Sequence, residues 1–457
     1  MTVTFQARHA LLTILFLSGA TPLHAAEPVA VDADLLRTMQ ETVSRQQLQL
    51  KQQAEQIRQQ AEALEQLHRQ VSTLQQPAIP ATPKQVVSTT DTQPKAKTES
   101  TLTAAVPSVV TSGNERISLA ISGQMNRAVN IANDGGSTRV YHVDNDGTNS
   151  RFRLVGRAII NDDLSLGARY EVAVAPDIST RVSQRTQVYG DYFNQRWAEV
   201  SLSSKRFGKL SIGKGDTASN TTAEMDLSRT AVVQYSQIYT MAGGMLFREK
   251  YGSKPLTRLR IAEVFNNGDG LTRQSRLRYD SPMFYGFTLA GSLVTEQRSD
   301  IALYWGGEGY GFQGSGAFAV ANTKGSATYP TLPDARLQYD GSFSLLHKQT
   351  GLNITVSGSL LERTAAGDRT NLYTKLGWIA NFSRLGYTAF GVDYTRTDNG
   401  YANGDKATSV GFAIVQAFEQ YATELYLQYR LHALERSLGL APVEDINVGT
   451  VGVRVKF

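Results

Sequence analysis

Residues 447–457 read Asn-Val-Gly-Thr-Val-Gly-Val-Arg-Val-Lys-Phe. Val451, Val453, Val455 and Phe457 fall on one face of an extended chain, and Gly452, Arg454 and Lys456 fall on the other. A period of two, with one face apolar and the other charged, marks a strand whose two faces meet unlike surroundings. The same alternation recurs in residues 118–130, 151–159, 164–174, 196–202, 209–213, 276–280, 287–294, 301–305, 313–320, 336–345, 352–360, 372–382, 387–394, 410–417 and 424–432. With the last run this gives about 16 strands, bounded by Gly, Asn, Asp and Ser turns, and an all-β architecture.

Two all-β architectures fit such runs. A soluble sandwich packs its apolar faces on each other, whereas a membrane barrel turns them to lipid and lines a lumen with the polar ones. The arginines decide for the barrel. Arg151, Arg153 and Arg157 alternate with Phe152, Leu154 and Ala158; Arg169 lies between Ala168 and Tyr170; Arg276 and Arg278 flank Leu277. Guanidiniums at strand interiors suit a wet lumen, and a charge facing lipid at mid-bilayer costs about 2–4 kcal/mol. Tyr279, Phe284, Tyr285, Trp378, Phe382, Tyr387 and Phe390 are placed to supply interfacial girdles. The expected fold is an all-β transmembrane barrel of about 16 antiparallel strands over residues 114–457.

Composition narrows the function. The 457 residues include no cysteine and only six histidines, which removes thiol nucleophiles and Cys-based zinc sites. No G-x-S-x-G and no P-loop is present. Asp144-Asn145-Asp146-Gly147 resembles half of a calcium loop but lacks the closing bidentate Glu, so it reads as a solvated external loop. The chain is therefore expected to be no enzyme and to hold no cofactor or metal. A net charge of +5 is small for a nucleic-acid partner, and it resides after residue 112, where 37 Lys and Arg face 32 Asp and Glu.

The N-terminal part is built differently. Arg8 and His9 precede a ten-residue apolar core, residues 10–19, and Leu23-His24-Ala25 offers a small residue for cleavage. Residues 1–25 thus read as a signal peptide of an exported bacterial chain. Residues 35–76 contain neither Gly nor Pro, and Leu36, Val43, Leu50, Ile57, Leu64 and Val71 recur every seven residues. This is an α-helical coiled-coil core, roughly 60 Å long. Gln46, Gln53 and Gln60 occupy the middle d positions, trading stability for register. Residues 77–113, with Pro77, Pro80, Pro83, Pro94 and Pro107 among Thr and Ser, form a linker.

Three stretches carry a family resemblance. Phe207-Gly208-Lys209-Leu210-Ser211-Ile212-Gly213-Lys214 looks like the strand leading into the third loop of the trimeric 16-stranded porins of Gram-negative bacteria. Arg276-Leu277-Arg278-Tyr279-Asp280-Ser281-Pro282, followed by Tyr285-Gly286-Phe287, is similar to their strand-turn-strand after that loop. Phe457 after alternating apolar residues resembles the signal read by the barrel assembly machinery. A coil ahead of the barrel departs from general porins and resembles the DcaP-like dicarboxylate porins; sucrose porins carry such coils too. The resemblance implies an outer-membrane homotrimer in contact with lipid and lipopolysaccharide, with the coil in the periplasm. It implies passive diffusion of small hydrophilic solutes, leaning toward anions such as small carboxylates. It also implies that part of residues 216–272 folds inward as the third loop. The same segment also reads as an outward loop or an extra hairpin around residues 258–264.

On this reading Arg151, Arg153, Arg157, Arg169, Arg276 and Arg278 line the pore and face Glu224 and Asp226 on the loop. A guanidinium stays ionised and binds carboxylate bidentately. Arg157 and Arg169 are expected at similar height if their strands are hairpin partners. The plainer alternative pairs the arginines with Glu171, Glu199 and Asp280 as struts of the wall. Two other functions compete: a sugar-type specific porin, and an envelope tether or adhesin that binds through the coil.

Overall fold

A computed structural model describes residues 109–114, 116–190, 192–265, 268–324 and 335–457. The expected signal peptide, coiled coil and most of the linker lie outside these residues. In chain order the strands are β1 (Val109–Gly113), β2 (Ile117–Asn133), β3 (Thr138–Asp144), β4 (Arg151–Ile159), β5 (Leu164–Val174), β6 (Phe193–Ser204) and β7 (Gly208–Asp216). A separate hairpin of β8 (Leu246–Arg248) and β9 (Leu256–Arg260) follows, then one helical turn, Ile261–Val264. Next come β10 (Arg273–Asp280), β11 (Phe287–Val294), β12 (Arg298–Gly309), β13 (Phe312–Asn322), β14 (Ala335–His347) and β15 (Leu352–Arg363). The chain finishes with β16 (Arg369–Ser383), β17 (Gly386–Asp398), β18 (Lys406–Phe418), β19 (Thr423–Glu435) and β20 (Ile446–Lys456).

These strands make a closed 16-stranded antiparallel barrel. β7 pairs with β10 across the long connection between them, and β20 closes on β2 from Gln124↔Lys456 to Asn133↔Asn447. Closure pairs the backbone groups that an open sheet edge would leave bare. Each alternating run of the sequence becomes a wall strand. The faces are inverted relative to a soluble protein. Phe343, Val356, Leu372, Val392, Phe412, Leu427 and Val451 are exposed on the outside, while inward-facing Ser342, Ser357, Thr395, Ser409, Gln428 and Thr450 are buried. This is the pattern of a wall with lipid outside.

Short turns gather at one end, as at residues 160–163, 205–207, 310–311 and 384–385, and long connections at the other, as at 175–192, 217–272 and 436–445. In the 205–207 turn the chain reverses tightly onto its neighbour: Gly208 has φ +85, and a Cβ there would lie 2.1 Å from the Asp280 carbonyl oxygen. Aromatic rings collect on the outer surface at the short-turn end. Trp378 stacks on Phe390 at 5.6 Å and meets Phe382 edge-on at 5.5 Å, and Trp305 stacks on Phe343 at 6.0 Å. Tyr387 departs from the expected girdle. It shares the inward parity of Ala389 and is buried, with the Arg229 guanidinium 4.5 Å from its ring centre.

Two local readings are corrected. Asp144-Asn145-Asp146-Gly147 is no solvated external loop. β2 pairs with β3 over Arg127–Asn133 and with β4 over Ile117–Gln124, so β3 and β4 share one wall position. The residues between them bulge into the interior as a 3-10 turn, Asp146–Thr148, and Asp144 and Asn145 are fully buried. Asp144 accepts hydrogen bonds from the Ser150 N–H (3.0 Å) and hydroxyl (2.5 Å), and the Asn145 side chain accepts from the Gly147 N–H at 2.9 Å. The second correction concerns residues 109–113, placed above in the linker. They form β1, which pairs with β2 from Val109↔Ile121 to Gly113↔Ser118, just past the end of β20.

The seam is held at Phe457. Its N–H donates to the Gly123 carbonyl at 3.0 Å, and its carbonyl accepts from the Gly123 N–H at 2.6 Å. A Cβ on Gly123 would come within 2.6 Å of the Phe457 ring. Gly123→Leu is therefore expected to destabilise the closed barrel by about 1–3 kcal/mol through overpacking. The check is the temperature at which the folded band is lost in heat-modifiable electrophoresis. An unshifted transition would show that closure does not depend on this contact.

Candidate functional site

The first part of the connection from β7 to β10, residues 217–247, lies inside the barrel and is largely buried. Its backbone N–H groups are cut off from bulk water, so the wall must accept them. Ala218 N–H donates to Ser292 Oγ (2.7 Å), Ser219 N–H to Asp300 Oδ2 (2.8 Å), Met225 N–H to Ser342 Oγ (2.9 Å) and Leu227 N–H to Ser344 Oγ (3.0 Å). The ammonium of Lys375 on β16 meets Asp226 and also donates to Thr230 Oγ1 and the Gln234 carbonyl, both at 3.0 Å. Farther on, Gln428 donates to the Val233 carbonyl at 2.6 Å and Asn145 to the Val232 carbonyl at 2.7 Å. The segment thus crosses β11, β12, β14, β16 and β19 along their inner faces.

Apolar packing completes the cover. Val232, Val233, Ile238, Met241, Phe247 and Phe265 from the loop join inward Tyr373, Ala389, Ala413, Val415 and Val448 in one buried cluster. The first half of the segment folds inward, and the second half carries the β8–β9 hairpin, which lies ahead of the expected position around residues 258–264; Ile261–Val264 is a helical turn instead. Lys254 on that hairpin pairs with Glu444 of the β19–β20 connection at 2.8 Å and holds the Glu444 carboxyl below its usual range.

The loop leaves the inner faces of β4, β5 and β6 more open, and there the charges are unbalanced. Glu171 is fully buried and takes four guanidiniums: Arg153 Nε at 2.5 Å, Arg196 Nε at 2.7 Å, Arg169 Nη2 at 3.2 Å and Arg151 Nη1 at 3.4 Å. The Trp197 ring lies beneath, with the Arg169 guanidinium 3.7 Å and the Arg273 guanidinium 4.7 Å from its centre. Such cation–π contacts suit a guanidinium that is partly desolvated. Arg196 and Trp197 both reach this cluster because of a β-bulge: Glu171 pairs with Trp197, then Val172 pairs with Gln195, and Arg196 is the extra residue.

The expected site residues are thus divided. Arg151, Arg153 and Arg169 come together on Glu171. Arg276 is a buried strut, bound to Glu199 at 2.5 Å and to the Asp216 carbonyl at 2.9 Å, and Arg278 pairs with Asp280 at 2.7 Å. Arg157 is exposed and has no ion-pair partner among the described residues. It stands opposite Gly167, while Arg169 stands opposite Val155, so the two are diagonal rather than level. The expected facing of the arginines by Asp226 is corrected: that carboxylate is buried against Lys375 on β16. Glu224 is half-buried, in charge range of Tyr235, Asp269 and Asp340. The carboxylates near the arginine group are instead Asp216, 3.1 Å from Arg273, and Asp146 of the inward bulge, within charge range of Arg196 and Arg273.

The sequence of this chain matches that of a known family, described as Gram-negative porin, over residues 100–433. No curated protein matches the chain by sequence. Among solved structures it is similar to an anion-selective porin from Comamonas acidovorans, with TM-score 0.50 and 15% identity, covering 75% of this chain and 100% of that one. It is also similar to the outer membrane channel DcaP of Acinetobacter baumannii, with TM-score 0.48 and 12% identity, covering 76% and 99%. Outer-membrane expressed OmpT of Vibrio cholerae gives TM-score 0.49 and 13% identity, covering 76% and 100%.

Lys375→Met tests the anchoring of the loop. It would leave Asp226 buried without its cation, a loss of about 3–5 kcal/mol when one member of a buried pair is removed. The wall bonds stay intact, so the barrel is expected to fold with a loosened loop. Trypsin should then cut at Arg229 or Arg248 sooner than in the unmutated protein, and equal cleavage rates would show that Lys375 does not hold the loop.

Proposed function

This chain belongs to the Gram-negative porin family, and on that premise we propose that it is a passive diffusion channel for small hydrophilic solutes that favours anions, small carboxylates foremost. Porins are outer-membrane channels and not enzymes. The observation that carries the anion preference is the sharing of the one Glu171 carboxylate by Arg151, Arg153, Arg169 and Arg196. Direct pairing there leaves positive charge in excess on the side of the lumen that the loop does not cover. Rings and rows of fixed charge are a general route to ion selectivity, and guanidinium cannot shed its charge at any working pH. Arg157, without an ion-pair partner among the described residues and nearer the short-turn end, extends the same row.

In this reading the channel is a homotrimer, and the coil of residues 35–76 lies in the periplasm and sets the register of three chains. Phe457 serves as the residue read by the barrel assembly machinery. Monomers in native electrophoresis of the full-length protein would overturn the trimer.

Selectivity is tested in planar bilayers under a salt gradient. Arg153→Ala combined with Arg169→Ala is expected to shift the reversal potential toward cations. The shift should shrink as salt rises, because the Debye length falls from about 10 Å at 0.1 M to about 3 Å at 1 M. An unmutated channel that prefers potassium to chloride, or a double variant with an unchanged reversal potential, would overturn the anion reading.

A further inference from the structure

The inner face of β4 breaks its own rule toward the short-turn end. From the long-connection end it reads Arg151, Arg153, Val155, Arg157 and Ile159, so two aliphatic side chains stand where the lumen-facing parity calls for polar ones. They are not covered by the loop: Val155 is 37% exposed and Ile159 is 42% exposed. The register adds Ala120 of β2 directly beside Val155, and Gly167 of β5 directly beside Arg157, which keeps this stretch of wall low and open.

Charge surrounds this floor. Arg169 is the cross-strand partner of Val155, about 5 Å away, and Arg153 and Arg157 flank it on its own strand at about 7 Å. Arg157 has no ion-pair partner among the described residues. Arg153 and Arg169 are each about a third exposed and share the single Glu171 carboxylate. A solute that offered only charge would use the guanidiniums and leave Val155 and Ile159 wet. A solute carrying a carboxylate on an apolar body would satisfy both, since covering exposed aliphatic surface is favourable in proportion to its area.

We propose that Ala120, Val155 and Ile159, with Arg157 and Arg169 at their rim, form an amphipathic lumen subsite for organic carboxylates with an apolar body, aromatic or branched. The proposal rests on the channel reading above and adds to it which carboxylates are preferred. Val155 and Ile159 recognise the apolar body, and Arg157 receives the carboxylate.

The experiment measures block of chloride current through the full-length protein in planar bilayers, with sodium benzoate and sodium acetate as probes. The expected result is stronger block by benzoate than by acetate. Val155→Ser combined with Ile159→Ser should remove the excess of benzoate over acetate. Val155→Leu combined with Ile159→Leu should retain it, and Arg157→Gln should weaken block by both anions. Equal block by the two probes in the unmutated channel would overturn the proposal, as would a benzoate-to-acetate ratio unchanged by the serine pair. Absence of any ion current in the unmutated protein would instead remove the channel reading itself.

Discussion

Hydrocarbon neither donates nor accepts hydrogen bonds, so every backbone polar group at membrane depth must find its partner within the protein. The sixteen-position wall is the answer to that demand. Each strand satisfies its neighbours, and the pairing of β20 with β2 closes the wall. Lipid then selects the outward side chains one by one, which is why Leu372, Val392, Phe412 and Val451 are exposed while their inward neighbours are polar. The closure depends on a residue without a side chain, because Gly123 must lie flat under the Phe457 ring.

The polar interior poses the complementary problem. A 56-residue connection (217–272) enters it and needs acceptors for its own N–H groups. Ser292, Asp300, Ser342 and Ser344 supply them, and Lys375 gathers Asp226, Thr230 and Gln234 at one point. Where the loop lies on the wall, charges close into local pairs such as Lys375–Asp226 and Arg430–Asp393. Where it does not, on β4 to β6, four arginines share Glu171. Pairing is thus one-to-one where the loop lies on the wall and several-to-one on β4 to β6.

The arginines of this set differ in how they are paired. Arg276 and Arg278 are struts, each matched to its own carboxylate. Arg151, Arg153 and Arg169 are bound and still in excess, because one carboxylate cannot neutralise several guanidiniums. Pairing and selectivity are thus compatible when the stoichiometry of the pair is uneven.

The amino-acid sequence by itself determined the wall: the strands, their number of about 16, and which side chains of a regular strand share a face. Alternation is a local property, imposed by lipid on every strand separately, so it is written in each short run and can be read there. The tertiary structure alone decided what happens where alternation fails or where partners come from afar. The bulge that turns Arg196 inward beside Trp197 and the break that folds Asp146 into the lumen leave no trace in a period of two. The choice of Lys375 as the partner of Asp226 joins residues 149 positions apart. Such pairings are set by how a long loop packs across a closed wall, and that competition among distant surfaces has no local pattern to record it.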